Sequence, residues 1–387
     1  MDAEVWGKFP DELLPVVLAR LPWWKNLQLR GVCKAWRGLL SNPSFLASSS
    51  PISTSRPPCV ILSTTEECAI VNFAIRRWNV LPQSSFLPGL RAADCFEISA
   101  ATAGLFLMEG RHESRFLVNP LNKTQRQLPP VPPLEGQIPS WGTSPHHPLK
   151  MMVTGKPNNI KIVGVQFQIQ SLAVDVRGIE AVADFLLNDS ELWSIYVYDL
   201  LRDSWDLVSK NLQREISHSL ENAIFVGEDL YLLTKQQGGL RPRRHTHSVL
   251  KAMATELVEV PIDFTADVPT VHIFQHRGFL MLVCGAEEWN PCVDIWRLEN
   301  ETQQWEKLVS MPERLLNKFY AKLHNGIFNF DAEGDFACFS NYFNTEIVIV
   351  YNLVDEVWWE ISCKDYISQD LNFHDTFLWQ PNLNILL

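Results

Sequence analysis

Two pairs of histidines are the residues whose spacing most directly suggests chemistry. His272 and His276 lie four residues apart, which in a helix would bring both side chains to one face, as in helical zinc sites. The surrounding segment is rich in strand-forming residues, so the two histidine side chains are not predicted to lie together on one helical face. His245 and His247 would share one face of an extended strand, but the sequence indicates no third ligand near them. Neither pair predicts a metal site.

Other catalytic motifs are missing from the sequence. It contains no nucleophile elbow, no phosphate-binding glycine loop and no paired-carboxylate motif. The eight cysteines, at 33, 59, 68, 95, 284, 292, 338 and 363, include no pair with the two-residue spacing of zinc or redox motifs. They are predicted to be reduced and mostly buried. We therefore predict a non-catalytic chain without metal or cofactor; the enzymatic alternative is an oxidase or hydrolase site built from distant loops.

A basic insertion, residues 238–247, is the feature that most suggests binding. It follows the strand-like segment Leu230–Leu233, so it is predicted to be a surface loop. Its guanidinium groups could hold carboxylates or phosphates of a target protein; the alternative is a solvated loop. A proline-rich stretch, 129–148, carries a tryptophan that could anchor a partner or simply wrap an edge. The predicted target-binding residues are Arg241, Arg243, Arg244 and Trp141.

The elements that would position these loops are short strands. From residue 58 onward, β-branched and aromatic runs alternate with turn residues. A glycine turn followed by an apolar strand recurs at Gly104, Gly227, Gly278 and Gly326, and the last two intervals are 51 and 48 residues. The longer first interval leaves room for one more unit at 161–205. This period is that of four-stranded propeller blades, and six of them fit, so a six-bladed β-propeller is predicted.

Two further expectations concern how the blades are joined. The segment Phe373–Pro381 could supply a strand that closes the propeller against the first blade. Trp205, Trp305 and Trp358 follow strands at corresponding places, and they are predicted to fill the space between blades rather than to line a ligand site.

The N-terminal residues have helical rather than strand periodicity. Pro10 suits a first helical position, and the following acidic residues complement the helix dipole. Pro15 either kinks this helix or moves its start. A second amphipathic stretch places Lys34, Arg37 and Arg30 largely off its apolar side. The two apolar sets are Leu13, Leu14, Val17, Leu18 and Leu21, and Val32, Cys33, Trp36, Leu39 and Leu40. So short a segment should need a partner surface or the rest of the chain.

This N-terminal pattern resembles the F-box of plant F-box/kelch-repeat proteins. Four submotifs agree in order and spacing: Phe9–Leu14, Leu21–Pro22, Arg30–Trp36 and Pro43–Leu46. The resemblance implies a small all-α F-box at 1–46, a linker at 47–58 and an all-β, kelch-type propeller at 59–387. The double glycine of kelch repeats occurs only once, at Gly238–Gly239, so the repeats are degenerate.

The resemblance also implies a function. In that family the F-box binds a Skp-type adaptor, which joins a cullin scaffold that carries a ubiquitin-conjugating enzyme. The chain would then be the substrate-recognition subunit of a Skp–cullin–F-box ubiquitin ligase, whose propeller binds a target protein. The alternative is a propeller tethered to a regulatory or transcriptional complex without target turnover. The implied adaptor contacts are Pro10, Leu13, Leu14, Val17, Leu18, Leu21, Pro22, Val32, Cys33 and Trp36. Trp23 and Trp24 stand where smaller residues are common, which leaves their effect on adaptor affinity open.

Composition limits the remaining possibilities. The 387 residues are 46% hydrophobic and carry a formal net charge of −11, which argues against general affinity for nucleic acid. No apolar run approaches the roughly 20 residues that span a bilayer, and residues 1–6 have no secretory-signal pattern. We therefore expect a nuclear or cytoplasmic protein with protein partners and no membrane association. The serine- and proline-rich segment 47–58 would be an orienting linker or an ordinary loop packed on the body.

Overall fold

A computed structural model describes most of the chain. The described residues are 12–21, 26, 29–40, 42, 45, 58–64, 67–72, 77–82, 97–110, 114–121, 123–132, 149–153, 160–169, 190–215, 218–237, 245–253, 256–262, 270–286, 291–321, 327–341, 344–363 and 375–381. Their helices are α1 (Leu14–Ala19), α2 (Lys34–Leu40) and α3 (Glu313–Tyr320).

The described strands form six four-stranded antiparallel sheets, which we number as blades. Blade 1 contains β1 (Cys59–Ser63), β2 (Glu67–Asn72), β3 (Arg77–Pro82) and β24 (Asp375–Trp379). Blade 2 contains β4 (Glu97–Thr102), β5 (Leu105–Glu109), β6 (Arg115–Asn119) and β7 (Thr124–Gln127). Blade 3 contains β8 (Leu149–Val153), β9 (Ile160–Ile169), β10 (Ser190–Asp199) and β11 (Ser204–Glu215).

The other three blades have the same order of strands. Blade 4 contains β12 (His218–Val226), β13 (Asp229–Gln237), β14 (His245–Ala252) and β15 (Leu257–Val260). Blade 5 contains β16 (Thr270–His276), β17 (Phe279–Ala286), β18 (Cys292–Leu298) and β19 (Trp305–Ser310). Blade 6 contains β20 (Asn329–Glu333), β21 (Phe336–Asn341), β22 (Asn344–Asn352) and β23 (Val357–Ser362).

This architecture is the predicted six-bladed β-propeller preceded by short helices. The C-terminal strand β24 pairs antiparallel with β1, with Trp379 opposite Cys59, so the predicted closing strand is confirmed. The chain divides into two compact units, one of residues 1–128 with 366–387 and one of residues 129–365. The first contains α1, α2 and blades 1 and 2; the second contains blades 3 to 6. Residues 47–57 of the predicted linker lie outside the described residues, and the predicted domain boundaries stay a prediction.

The glycine turns explain the repeat and correct one member of it. Gly104, Gly227 and Gly278 have positive φ angles of 87°, 64° and 84°, and each stands before the second strand of its blade. The corresponding glycine of blade 6 is Gly334, with φ 61°, and not the predicted Gly326, which lies outside the described residues. The strand predicted after Gly326 is the first strand of blade 6, β20, whereas the strands after the other three glycines are second strands.

The repeated tryptophans lie where the sequence predicted. The Trp305 indole Nε1 donates to the carbonyl of Pro261, which follows the last strand of blade 4, at 2.9 Å. Trp205 makes the same kind of bond to Pro129, at 3.0 Å. Trp358 packs against a hydrophobic cluster drawn from blades 5 and 6. The bridging role is confirmed for Trp305, whose bond joins two neighbouring blades directly.

Close packing around Gly285 gives the first testable prediction. An added Cβ would overlap the ring of Phe328, which is 1% exposed, and would lie 3.0 Å from the Tyr320 hydroxyl oxygen. Because the Tyr320 hydroxyl also donates to the Cys292 carbonyl, the Tyr320 ring has little freedom to move. We expect Gly285→Ala to lower the free energy of unfolding by about 1–3 kcal/mol, measured by denaturant titration. Gly38→Ala is the control, since nothing lies within 4 Å of its added Cβ, and it should be neutral or stabilising. Equal effects of the two changes would contradict this account.

Candidate functional site

Helix α1 and the residue before it present one apolar side that is largely exposed. Leu13 and Val16 are each 50% exposed, and Val17 is 37% exposed. Leu18 and Ala19, on the other side, are buried. The helix begins at Leu14, so Pro15 occupies one of its first positions, where a missing N–H removes no helical hydrogen bond. Of the two readings of Pro15, the later start is therefore the one observed.

The second apolar stretch is divided between surface and interior. Val32 is 45% exposed and the Cys33 side chain is exposed, whereas Leu40 is fully buried. Trp36 and Leu39 are partly buried against the same core as Leu40. The predicted single apolar face was wrong for Val32 and Cys33, because α2 begins only at Lys34 and these two residues lie in the preceding turn. We call Leu13, Val16, Val17, Val32 and Cys33 the exposed apolar surface.

The inner sides of the helices pack on the first two blades. One hydrophobic cluster contains Leu18, Ala19, Leu40 and Phe45 together with side chains from blades 1 and 2. The blade residues in this cluster include Ile61, Ile70, Phe106, Met108, Leu121 and Trp379. Within the cluster, the ring centroids of Phe106 and Trp379 lie 5.2 Å apart. Burial of this common cluster supports the helices, which are too short to be stable alone.

Arg30 is the polar link between the helices and blade 2. Its guanidinium donates to the Leu40 carbonyl at 3.0 Å and to the Leu121 carbonyl at 3.4 Å. The first bond completes the C-terminal end of α2, and the second reaches the turn between β6 and β7. Partial burial lowers the pKa of the Arg30 side chain from its ordinary value. Arg30 was predicted to lie off the apolar side; instead it connects two elements that are 91 residues apart.

The implied adaptor contacts are therefore placed in three ways. Leu13, Val17, Val32 and Cys33 lie on the exposed apolar surface. Leu14, Leu18, Leu21 and Trp36 pack into the cluster with blades 1 and 2, and Leu18 is only 2% exposed. Pro10 and Pro22 lie outside the described residues. Val16 was missed, although its position three residues after Leu13 and its apolar type are the signal that finds it.

The predicted target-binding residues lie outside the described residues. These are Arg241, Arg243, Arg244 and Trp141. The strands that flank the basic insertion are described: Gln237 of β13 pairs with His245 of β14. That pair lies at the end of blade 4 opposite the β12–β13 turn, because the strands are antiparallel.

His272 and His276, one of the two predicted histidine pairs, both contact structural partners. His276 Nε2 lies 2.9 Å from Asp335 Oδ1, and His272 Nε2 lies 3.3 Å from the Phe328 carbonyl. No group of three or more His, Cys, Asp or Glu residues within the described part of the chain is placed to hold a metal ion. Five cysteines are buried, as predicted, and burial raises the pKa of the Cys284 and Cys363 thiols to about 12. None of the described helices has the length and apolar character to cross a membrane.

Comparison with known proteins supports the family prediction. No family model matches the chain. F-box only protein 6 of Arabidopsis thaliana is 25% identical over 240 residues, which cover 53% of this chain and 48% of that protein. Protein ABERRANT PANICLE ORGANIZATION 1 of Oryza sativa subsp. indica is 32% identical over 36% of this chain and 34% of its own length. An F-box/kelch-repeat protein of Arabidopsis thaliana is 27% identical over 38% of this chain and 36% of its own length. The resemblance to plant F-box/kelch-repeat proteins is confirmed.

The F-box/kelch likeness covers only part of each relative. The chain spans about half, or less, of the length of these curated relatives. Among solved structures, an oligogalacturonate lyase in complex with manganese overlaps 67% of this chain and 62% of its own, with 14% identity and a TM-score of 0.39. A second oligogalacturonate lyase, from Vibrio parahaemolyticus, has 10% identity and a TM-score of 0.40 over 82% of this chain and 81% of its own. No activity is inferred from either structure.

Proposed function

We propose that this F-box/kelch-like chain is the non-catalytic substrate-recognition subunit of a Skp–cullin–F-box ubiquitin ligase. Its N-terminal helices would bind a Skp-type adaptor, and its propeller would bind the protein to be ubiquitinated. The observation that carries the proposal is the exposed apolar surface, formed by Leu13, Val16 and Val17 at α1 and by Val32 and Cys33 in the turn before α2, while the inner sides of both helices pack on blades 1 and 2.

Apolar side chains grouped in this way favour a protein partner. Leu13, Val16 and Val17 follow one another at helical spacing, so they form a continuous strip and not isolated surface residues. Covering such side chains on association is favourable in proportion to the apolar area removed from water. The opposite side of each helix is already occupied by the core. The partner must therefore approach from the side away from blades 1 and 2.

The propeller would then act by bringing a target close to the conjugating enzyme. In blade 2, the helices contact the β6–β7 turn through Arg30. In blade 4, the strands that flank the predicted target-binding arginines end opposite the β12–β13 and β14–β15 turns. In an antiparallel four-stranded sheet, the connection between the second and third strands lies at the opposite end from the turns that join the first to the second strand and the third to the fourth. We propose that the arginine-bearing connection of blade 4 binds the target and that the turn end of blade 2 supports the F-box.

The exposed apolar surface can be tested without disturbing the fold. We expect Leu13→Asp combined with Val17→Glu to reduce capture of a purified Skp-type adaptor at least tenfold. Both replaced side chains are exposed, so the double variant should keep its helix and its melting temperature. The measurement is titration calorimetry with the full chain. Adaptor binding should also slow the labelling of the exposed Cys33 thiol.

The matched control places charges on equally exposed apolar residues elsewhere. Val258 of β15 and Leu308 of β19 are 44% and 43% exposed, and their replacement by aspartate should leave adaptor affinity unchanged. Equal affinity of the Leu13→Asp, Val17→Glu variant and the parent chain would rule out this docking surface. If the adaptor binds but captured targets are neither ubiquitinated nor degraded, the tether function is favoured over the ligase function.

A further inference from the structure

Three blades share one type of turn between their third and fourth strands. It begins with Asn119 in blade 2, Asp199 in blade 3 and Asn352 in blade 6, whose side-chain oxygen accepts the N–H of the residue two positions later. These bonds measure 3.0, 2.8 and 2.8 Å. The residues that receive them are apolar: Leu121, Leu201 and Val354. A residue with positive φ completes each turn, namely Lys123, Asp203 and Glu356. The three turns therefore present an apolar side chain from the same backbone geometry.

In blade 2 this turn is covered. Leu121 is 8% exposed and belongs to the cluster that contains Leu18 and Leu40. Arg30 donates to the Leu121 carbonyl from the helical segment above it. The covering segment, residues 29–42, carries the basic residues Arg30, Lys34 and Arg37 and no acidic residue. In blade 2 the occupant of this turn is thus a cationic amphipathic helical segment.

In blade 3 the same turn is uncovered. Leu201 is 73% exposed, and Leu207 on the following strand is 47% exposed. The same segment carries three carboxylates: Asp199 accepts the Leu201 and Arg202 N–H groups, Asp203 accepts the Tyr198 hydroxyl, and Asp206 lies on the strand that follows. The single basic neighbour in the turn, Arg202, is paired with Asp206 at 3.3 Å. The local excess of negative charge complements a cationic segment, which is the kind of segment that covers blade 2.

In blade 5, the turn between the third and fourth strands has no apolar residue at the position of Leu121 and Leu201. This turn closes with the Gln303 N–H donating to the Glu299 carbonyl at 2.9 Å, as Lys123 does to Asn119 and Asp203 to Asp199. The residue at the position of Leu121 and Leu201 is Glu301, which is exposed. An acidic residue can therefore occupy this position when the turn is exposed to solvent. The turn geometry alone does not require leucine there.

We propose that the β10–β11 turn of blade 3, residues 199–207, is a docking site for a cationic amphipathic helical segment of a partner protein. Leu201 would enter the apolar side of that segment, as Leu121 does in blade 2. A basic side chain of the partner would reach the turn carbonyls and the carboxylates of Asp199 and Asp203. This site lies on the propeller and does not depend on the proposed adaptor surface.

The test uses a synthetic peptide with the sequence of residues 29–42 as the probe and the full chain as the receptor. We expect saturable binding by fluorescence anisotropy, weakened at least tenfold by Leu201→Asp. Leu201→Met keeps an apolar side chain of similar volume and should bind as the parent does. Because carboxylates take part, affinity should fall as salt is raised from 50 to 300 mM, a range over which the screening length shortens to roughly 5–6 Å.

Controls separate this turn from other exposed apolar residues. Val258→Asp changes an exposed strand residue of blade 4 and should leave peptide affinity unchanged. The circular dichroism spectra of this variant and of Leu201→Asp should match that of the parent. A peptide in which Arg30, Lys34 and Arg37 are replaced by glutamine should bind at least tenfold more weakly. Unchanged affinity of Leu201→Asp for the parent peptide overturns the proposal, as does equal binding of the neutral and cationic peptides.

Discussion

Trp379→Ala is expected to lower the free energy of unfolding of the first compact unit by about 3–5 kcal/mol, the cost of emptying a buried aromatic site. Trp379 is 1% exposed, and its ring lies 5.2 Å from that of Phe106. It sits on β24, the strand that closes blade 1 by pairing with β1. The same cluster holds Leu18 and Leu40, so the cavity should also loosen the helices. Denaturant titration measures the first effect, and hydrogen exchange of α1 and β1 measures the second.

A matched control distinguishes loss of this core from loss of any tryptophan. Trp359 is half-buried on β23 of blade 6, where it stacks on Phe336 with ring centroids 6.0 Å apart. Trp359→Ala removes the same side chain from the second unit, and we expect less than half the destabilisation. Exchange in α1 should stay at the parent rate in this control. If both variants lose the same stability, the closing strand has no special part in holding the first unit together.

Local periodicity was enough to predict the blades, because each strand is short and its pattern repeats. The error at Gly326 has a local cause: α3 occupies part of the connection between blades 5 and 6, so the interval between equivalent glycines rises from 51 residues, Gly227 to Gly278, to 56, Gly278 to Gly334. A fixed period therefore selected the wrong glycine. The strand that follows Gly326 in the sequence is the first strand of blade 6, β20.

The division of the N-terminal residues into surface and core was harder to predict. The apolar set predicted for the first helix was wrong in placing Val17 and Leu18 on one face, because Val17 is 37% exposed whereas Leu18 is buried on the other side of α1. Helical spacing also fails for Val32 and Cys33, because they precede α2 and do not follow its periodicity. Nothing in the local pattern reveals the contact of Arg30 with Leu121, which depends on how the chain folds over 91 residues. The sequence thus predicts that these residues carry exposed apolar side chains, but tertiary contacts decide which of them are exposed.

Arg30→Met should release the helices from blade 2 while leaving the blades folded. The methionine keeps an apolar stem but donates to neither the Leu40 nor the Leu121 carbonyl. Hydrogen bonds from a charged donor contribute about 1.5–3 kcal/mol each, and the 3.4 Å bond to Leu121 is the weaker of the two. We expect a local loss of about 3 kcal/mol, or roughly 100-fold faster hydrogen exchange in α2. Exchange in blade 4 should not change. Adaptor capture should weaken, although Arg30 is not part of the exposed apolar surface.

Arg37 provides the control for charge at this site, because it is exposed and its Nε donates to the Arg30 carbonyl at 3.2 Å. Arg37→Met removes one cation and one exposed hydrogen bond, so its effect on α2 exchange should stay below tenfold. Arg30→Lys can still donate to one carbonyl, and we expect it to recover part of the protection. Equal exchange rates in Arg30→Met and Arg37→Met would mean that the apolar cluster alone holds the helices. A selective effect of Arg30→Met would make Arg30 a positioning residue, which holds the exposed apolar surface in a fixed relation to blade 2.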